Sequence, residues 1–179
     1  MANLTTWAFD PTHSELTFKV KHLMITNVKG EFRNFQATLA SNGEDFDGAA
    51  AGATIEVGSI YTNNDDRDGH LKSGDFFDAE QFPQITFEST NFKKVDAENG
   101  KLTGNLTIKG VSKEVTLDVE FGGISKDPWG NLKAGFSVEG KINRNDFNLG
   151  WNAALETGGV LVSEEVKIAA EIQFVKTSN

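Results

Sequence analysis

The chain has 179 residues, 38% of them hydrophobic and 10% aromatic, so it is long enough for a substantial core and close to the length of one domain. Its 26 acidic and 17 basic residues give a net charge of -9, which repels a nucleic-acid backbone or an anionic bilayer, and we expect no nucleic-acid partner. The absence of cysteine excludes disulfides, thiolate metal sites and a cysteine nucleophile.

The N-terminal residues 1–18 have neither the basic region nor the apolar run of a secretory signal. This predicts a cytoplasmic protein, or a periplasmic one if a signal has been removed. The longest stretch of low polarity, residues 48–53, is much shorter than the roughly 20 apolar residues of a membrane-spanning helix. We therefore expect no stable membrane insertion.

Apolar and polar residues alternate along most of the chain, which is the period of a half-buried strand. In chain order, the alternation predicts strands around Leu16–Val20, Ala51–Val57, Ile85–Phe87, Leu102–Ile108, Val115–Phe121, Leu132–Ile142 and Val166–Phe174. The parity flips between Phe32 and Phe35, which predicts a bulge near Arg33–Asn34.

Turn sequences separate these runs at the spacing of antiparallel neighbours, and no long helical segment lies between them. They are Asn42-Gly43, Asn99-Gly100, Lys109-Gly110 and Trp129-Gly130. The chain is thus predicted to be an all-β antiparallel meander of about eight strands. Closure into a barrel is favoured because it removes exposed edges, with a two-sheet sandwich as the alternative.

Two segments interrupt the strand pattern. Residues 62–83 are rich in Asn and Asp and end at Pro83, which predicts a short helix in a long connection. Residues 151–163 contain Ala153–Glu156 followed by Gly158-Gly159, which indicates a single helical turn stopped by glycine. Long loops beside a barrel mouth commonly carry binding residues.

Several residues are of types that could bind a metal or act in catalysis, but their patterns more often indicate structural roles. His13, His22 and His70 have no helical metal-ligand spacing, so no metal site is predicted. Asp68 and His70 with Arg67 could form a general-base pair beside an anion clamp, but Asn and Asp in such a loop more often cap helices and turns. No serine lies in a G-x-S-x-G elbow. We predict no catalytic residue and no cofactor.

Ordered blocks of sequence resemble the YceI-like family of polyisoprenoid-binding, lipocalin-like proteins. The resemblance extends from about residue 7 to about residue 175. The blocks are Trp7–Ser14, Phe18–Leu23, Gly30–Phe32, Ser59–Asn63, Arg67–Ser73, Asp75–Phe77, Phe82–Ser89, Leu102–Gly104, Leu106–Val111, Asp127–Gly130, Ala134–Phe136, Ile142–Arg144 and Asp146–Phe147. Tyr61 departs from the small acidic or polar residue expected before Thr62, and the missing signal peptide departs from the periplasmic members.

This resemblance implies that residues 1–179 form a single eight-stranded antiparallel, lipocalin-like barrel with one or two short helices. It further implies a hydrophobic pore that holds a long lipid, no assigned catalytic residues, and a homodimer worth considering. The residues themselves are compatible with this, because an eight-stranded barrel can hold one slender ligand. Fourteen phenylalanines against one tyrosine suit an apolar cavity as well as a packed core.

Candidate ligand-binding residues fall into two groups. The first group is apolar and lines a tunnel, which small inward residues such as Ala51, Ala53, Ala134 and Ala170 would leave open among larger side chains. The second group would bind a headgroup and consists of cationic or titratable hydrogen-bond donors, with Lys72 as a further candidate. The predicted set is Phe18, Val20, His22, Phe32, Ile55, Arg67, His70, Phe87, Leu106, Phe136, Arg144 and Trp151.

Three functions remain open from sequence. The first is binding of an isoprenoid or other long-chain lipid (a polyisoprenoid, an isoprenoid quinone or a fatty acyl chain) for storage, transport or sequestration. The second is a cofactor-free enzyme acting on a lipid at the barrel mouth. The third is an interaction module whose barrel is filled by its own side chains.

Overall fold

A computed structural model describes residues 4–151 and 162–178. In these residues the chain forms eleven strands and one α-helix, α1 (Asp65–Lys72), with short 3-10 helices at Pro11–His13, Val57–Ser59 and Arg144–Phe147. The strands are β1 (Thr5–Phe9), β2 (Glu15–His22), β3 (Thr26–Phe32), β4 (Phe35–Asn42), β5 (Asp45–Glu56), β6 (Ile60–Tyr61), β7 (Gln84–Lys94), β8 (Asn99–Ile108), β9 (Val111–Lys126), β10 (Leu132–Asn143) and β11 (Val162–Ser178).

The strands close into an antiparallel barrel. Hydrogen-bonded neighbours follow the order β1-β4-β5-β7-β8-β9-β10-β11, and β1 pairs with β11 to complete the ring. Strands β1 and β2 are two halves of one wall strand, since β11 pairs with both, and β3 and β4 form the next wall strand in the same way. The predicted eight-stranded barrel is confirmed, and the sandwich alternative is wrong.

The alternation of the sequence sets which residues face inward. Along β8, Leu102, Leu106 and Ile108 are buried while Lys101 and Asn105 are exposed. A closed wall has one apolar side and one wet side, so a period of two is enough to orient each strand. The alternation did not indicate β1, whose five residues precede Pro11, or the two-residue β6.

The predicted bulge lies between β3 and β4, at Arg33 and Asn34. The amide of Arg33 donates to the carbonyl of Ser59 (3.1 Å), and the amide of Glu56 donates to the carbonyl of Asn34 (3.0 Å). The break therefore lets one wall strand change parity while its backbone groups stay paired with the segment that connects β5 and β6.

The 62–83 connection contains the predicted helix. Asn64 caps α1 by accepting a hydrogen bond from the amide of Arg67 (3.0 Å), and Asp65 and Asp66 lie in its first turn, where the helix dipole favours negative charge. The helix ends at Lys72, well before Pro83. The second predicted helical turn, Ala153–Glu156, lies outside the described residues.

A polar cluster closes the seam between β1, β2 and β11. Asp10 interrupts the first wall strand, and its amide donates to the carbonyl of Gln173 (2.9 Å). Its carboxylate accepts from Thr12 and contacts His13 (2.9 Å) and the ammonium of Lys133 (3.3 Å). Burial alone would raise the pKa of Asp10, but the hydrogen bonds from Thr12, His13 and Lys133 outweigh it and hold the pKa far below the usual 3.8.

We expect Asp10→Asn to lower the free energy of unfolding by roughly 2 kcal/mol at neutral pH, because it removes a carboxylate that the folded state stabilises. A carboxylate whose pKa is depressed by folding contributes stability that is full above its unfolded pKa of 3.8. That contribution is lost as the pH falls below this value. Urea unfolding of both proteins between pH 7 and pH 2 should show the difference shrinking on the acid side. A difference that is constant over this range would contradict the assignment.

Candidate functional site

A continuous cavity of about 620 Å³ occupies the interior of the barrel. This lies within the range of about 300 to 1,000 Å³ that small-molecule sites occupy. Along β11 its lining extends from Val162 to Phe174, which is about 40 Å of strand, or about 30 Å along the axis once a barrel strand tilt of about 40° is included. The cavity is therefore long and narrow, the shape of a linear ligand.

The inward apolar residues of the middle of the barrel keep accessible surface. Phe18, Phe87, Phe136, Val138 and Ile168 line the cavity and are only half-buried. In a barrel filled by its own side chains, such residues would be fully enclosed. The interior is thus incompletely filled, and the hypothesis of a fully packed module is wrong.

Glycines on the inner wall let large side chains lie flat against it. A Cβ built on Gly30 would lie 2.3 Å from the ring of Phe18, and one built on Gly140 would lie 2.3 Å from a methyl of Leu117. Gly104 is covered in the same way by Phe87, and Gly100 by Phe92. Each of these glycines faces inward, so each ring or methyl occupies space that a Cβ would take. The arrangement holds bulky groups away from the axis and keeps the bore open.

The end of the barrel opposite α1 is closed by an aromatic cluster. Trp7, Phe46, Leu39 and Phe174 are buried there, and Phe46 lies 5.1 to 5.3 Å from the rings of Trp7, Phe121 and Phe136. The indole of Trp7 donates to the hydroxyl of Ser41 (2.8 Å), which satisfies the one polar group of that ring. A ligand that enters from the other end meets an apolar floor.

The charged residues and the histidines of the described cavity lining lie at the α1 end, which we call the mouth. They are Lys21, His22, Asp66, Arg67, His70 and Arg144. The cavity is therefore apolar along its length and polar at one opening. Such a distribution would direct the tail of an amphipathic ligand inward and its headgroup to the mouth.

Arg67 and Asp68 form hydrogen bonds with Thr62 rather than an ion pair with each other. The Nε of Arg67 donates to the hydroxyl of Thr62 (2.8 Å) and its Nη2 donates to the carbonyl of Thr62 (2.6 Å). The buried carboxylate of Asp68 accepts from the amide of Thr62 (2.8 Å). These bonds anchor the start of α1 to Thr62, the residue after β6, and hold the guanidinium of Arg67 at the cavity edge.

His70 lies in an aromatic rim at the mouth. Its ring centroid is 4.7 Å from that of Trp151 and 5.1 Å from that of Phe76, and its Nε2 is 2.9 Å from a carboxylate oxygen of Asp75. Since Asp68 bonds Thr62 and His70 bonds Asp75, the general-base pair of Asp68 and His70 considered from sequence is not formed. The nearby hydroxyl of Ser73 donates to the carbonyl of His70.

Arg144 frames the mouth through the backbone. Only 3% of it is exposed, and its guanidinium donates to the carbonyls of Leu149, Trp151 (2.8 Å), Val162 (3.1 Å) and Ser163 (2.8 Å). Burial lowers the pKa of Arg144 from its ordinary value. These carbonyls belong to the two chain segments on either side of residues 152–161, so one side chain fixes both segments against β10.

All twelve residues predicted as ligand-binding lie on the cavity wall. Phe18, Val20, Ile55, Phe87, Leu106 and Phe136 line the bore, and His22, Phe32, Arg67, His70, Arg144 and Trp151 line the mouth region. That they contact a ligand stays a prediction. Lys72 is not part of the lining, and Ala134 is fully buried in the cluster at the closed end.

Other lining residues were not singled out from sequence. They include Leu16, Phe35, Phe77, Phe92, Leu117, Leu149 and Ile172. The alternation parity of β2, β9 and β11 carried a signal for Leu16, Leu117 and Ile172. Phe77 and Leu149 come from connections between strands, where no periodicity indicates which side faces the bore.

Within residues 4–151 and 162–178, no group of three or more metal-ligating side chains lies together. In the same residues no helix is long and apolar enough to span a membrane.

Comparison with known proteins identifies the family. The model of the YceI-like domain matches residues 7–174. A UPF0312 protein of Staphylococcus aureus (strain bovine RF122 / ET3-1) is 47% identical over 172 residues, which cover 96% of this chain and 98% of that protein.

Two solved structures share the fold. BcnA of Burkholderia cenocepacia superposes with a TM-score of 0.80 at 25% identity, over 92% of this chain and 98% of that chain. A polyisoprenoid binding domain from Saccharophagus degradans, implicated in plant cell wall breakdown, superposes with a TM-score of 0.68 at 15% identity, over 96% of this chain and 98% of that chain.

We expect Arg144→Gln to lower the free energy of unfolding by about 3 kcal/mol, because it leaves four buried or partly buried carbonyls without a charged donor. Urea unfolding at pH 7 measures this. Arg33→Gln is the matched control, since Arg33 is an exposed arginine that pairs with Glu31 and lies 3.5 Å from the ring centroid of Tyr61, both contacts outside the bore. Arg33→Gln should lower the free energy of unfolding by less than about 1 kcal/mol. Equal effects of the two substitutions would show that Arg144 does not frame the mouth.

We expect Gly30→Ala to turn the ring of Phe18 into the bore and to narrow the cavity there, because the new Cβ takes the place of the ring edge. A crystal structure of the variant gives the ring position and the cavity volume. Gly135→Ala on β10 is the control, because its Cβ would meet no atom within 4 Å. An unmoved Phe18 ring in Gly30→Ala would contradict this account of the open bore.

Proposed function

This chain belongs to the YceI-like family, and we propose that it binds one long apolar lipid in its barrel cavity and so stores, transports or sequesters that lipid. The ligand is a polyisoprenoid, an isoprenoid quinone or a fatty acyl chain. The observation that carries the proposal is the continuous apolar cavity, closed at one end and polar at the other.

The shape of the cavity supports a linear ligand. A volume of about 620 Å³ spread over about 30 Å of axial length gives a mean cross-section of about 20 Å². A compact ring system would fill only part of such a bore. One chain lying along the axis contacts half-buried apolar side chains from every side, which is where the binding free energy of a lipid originates.

The magnitude is sufficient. Each buried methylene contributes about 0.8 kcal/mol, so one five-carbon isoprene unit contributes about 3 to 4 kcal/mol before ordering costs. Since non-covalent affinity saturates near about 20 kcal/mol, a few well-enclosed units give tight binding. The remainder of a longer tail would add little. A polyisoprenoid binding domain among the proteins of this fold supports a prenyl chain as the ligand.

The mouth supports a headgroup with oxygen acceptors. An arginine has five N–H donors, and Thr62 takes two of those of Arg67. Within the described residues the others remain available to a phosphate or carbonyl oxygen. His22 and His70 line the same opening. We propose that Arg67 is the principal headgroup donor and that Arg144, whose bonds go to carbonyls, acts on the ligand only by positioning the mouth.

The lipid itself is identified by extraction of the purified protein and mass spectrometry of the extract. Native mass spectrometry, before and after incubation with a prenyl quinone, a prenyl phosphate or palmitate, should show one lipid per chain. A protein that carries no lipid as purified and takes up none of the three probes would overturn the proposal.

A variant pair tests the cavity directly. Ala53→Phe places a ring inside the bore, where Ala53 lines the cavity, while Ala50→Phe places the same ring on the exposed outer face of the same strand. We expect Ala53→Phe to weaken lipid binding at least about tenfold and Ala50→Phe to leave it unchanged, because filling the bore removes the surface that the lipid buries. Fluorescence titration with a prenyl probe measures both. Equal affinity in the two variants would place the lipid elsewhere.

A further inference from the structure

The hairpin tip that joins β2 to β3 is apolar and exposed. It consists of Leu23, Met24 and Ile25, whose exposed fractions are 38%, 49% and 77%. Three consecutive large apolar residues in water are unfavourable, and none of the three lines the cavity.

The backbone conformation of this tip is one that large apolar residues rarely adopt. The amide of Ile25 donates to the carbonyl of His22 (3.2 Å), and Leu23 and Met24 have φ values of 55° and 62°. The register pairs His22 with Thr26, so the loop has three residues, and a β-turn whose two central residues both have positive φ favours Asn-Gly or Asp-Gly there. The same chain follows that rule in part at Lys109-Gly110, where φ is 51° and 76°. The β2–β3 tip instead puts two bulky apolar side chains in the strained conformation.

Lysines lie behind the tip on the outer face. Lys19 and Lys29 are directly opposite each other in the β2–β3 register, and like charges in that position repel. Lys21 lies two residues from Leu23, and all three are exposed. None of the ion pairs formed within residues 4–151 and 162–178 includes these three lysines.

Two of the neighbouring acidic residues are paired elsewhere, and Glu164 of β11 interacts with Arg144. Glu31, next along β3, pairs with Arg33 (2.8 Å), and Glu165 of β11 lies 3.8 Å from Lys141. At about 3.3 Å per residue, Lys19 and Lys29 lie about 13 Å behind the tip and Lys21 about 7 Å behind it. The distance between the apolar tip and these three lysines thus matches the distance between the acyl layer and the headgroup layer at a bilayer surface.

The tip also adjoins the cavity mouth. His22, the last residue of β2, and Lys21 both line the cavity. A surface that receives the tip therefore lies against the opening that we assign to the lipid headgroup.

We propose that the β2–β3 hairpin tip docks on an anionic lipid bilayer, with Leu23, Met24 and Ile25 in the acyl boundary and Lys19, Lys21 and Lys29 on the lipid phosphates. Docking presents the mouth of the barrel to the membrane. The inference depends only on the tip and the lysines, and it holds whether or not the cavity carries a lipid.

The net charge of -9 limits this docking to a shallow and reversible contact. Screening at about 0.1 M salt confines electrostatic forces to about 10 Å, so the lysines beside the tip act on the headgroups while the acidic residues on the rest of the barrel are largely screened. Three inserted side chains and three lysines are a marginal anchor of the peripheral kind.

The experiment is co-sedimentation with vesicles of phosphatidylcholine, with and without phosphatidylglycerol. The variant L23N/M24G installs the preferred Asn-Gly turn, so it should fold at least as well as the original chain, which thermal unfolding checks. Trp129→Asn is the control, since Trp129 is 83% exposed in the hairpin between β9 and β10, at the opposite end of the barrel.

We expect the original chain to bind the phosphatidylglycerol vesicles, L23N/M24G to lose about tenfold or more in partitioning, and Trp129→Asn to bind as before. K19Q/K29Q should weaken binding to the anionic vesicles only. Native mass spectrometry should find lipid uptake into the cavity unchanged in L23N/M24G, which separates this inference from the proposed function.

Three results would overturn the inference. The original chain fails to bind either vesicle at low salt, or L23N/M24G binds as well as the original chain. The third result is that neither protein binds vesicles, while sedimentation velocity shows the original chain self-associated and L23N/M24G monomeric. The tip would then be a contact between two copies of the chain.

Discussion

The open bore depends on what the inner wall does with its large side chains. A closed barrel of eight strands has an interior that its own side chains can just fill, so a cavity persists only where bulky groups stay off the axis. Glycines opposite Phe18, Phe87, Phe92 and Leu117 supply that space. Because each ring lies over a neighbouring strand rather than over the axis, its inner face remains accessible. The apolar surface that a ligand would bury exists for this reason.

The two ends of the bore differ in chemistry, and this gives the cavity a direction. Around Phe46 the rings of one end pack into a closed floor. At the other end, α1 and the rim of His70, Phe76 and Trp151 surround an opening that carries the charged groups of the described lining. An amphipathic molecule in such a space has one favourable orientation. The exposed tip at Leu23–Ile25 adjoins this same opening, so binding and docking would use one end of the barrel.

Several residues that suggest chemistry from the sequence serve the frame of the barrel. Asp10 and His13 fill the gap where the first wall strand is interrupted. Asp68 and Arg67 fasten the start of α1 to Thr62, and Arg144 binds the carbonyls of two segments at the mouth. Interruptions of a strand leave backbone groups unpaired, and charged side chains are the strongest donors and acceptors available to satisfy them. In this chain these polar residues therefore mark the places where the wall is broken.

The sequence by itself determined the wall of this protein. Alternation with a period of two specifies which side of β8 or β9 is apolar. Turn sequences such as Lys109-Gly110 specify where the chain reverses direction between strands. Together they predicted the all-β meander, its closure and most inward strand residues, whereas Arg67, His70, Arg144 and Trp151 lie outside the strands, where periodicity carries no signal. Only the tertiary structure decided whether the interior is filled. Whether Phe18 points to the axis or lies over Gly30 depends on a contact between strands that no local pattern encodes, and the partners of Arg67 and Arg144 are likewise fixed by which segments meet at the mouth. Periodicity is a property of one strand, whereas free volume is a property of eight strands packed together.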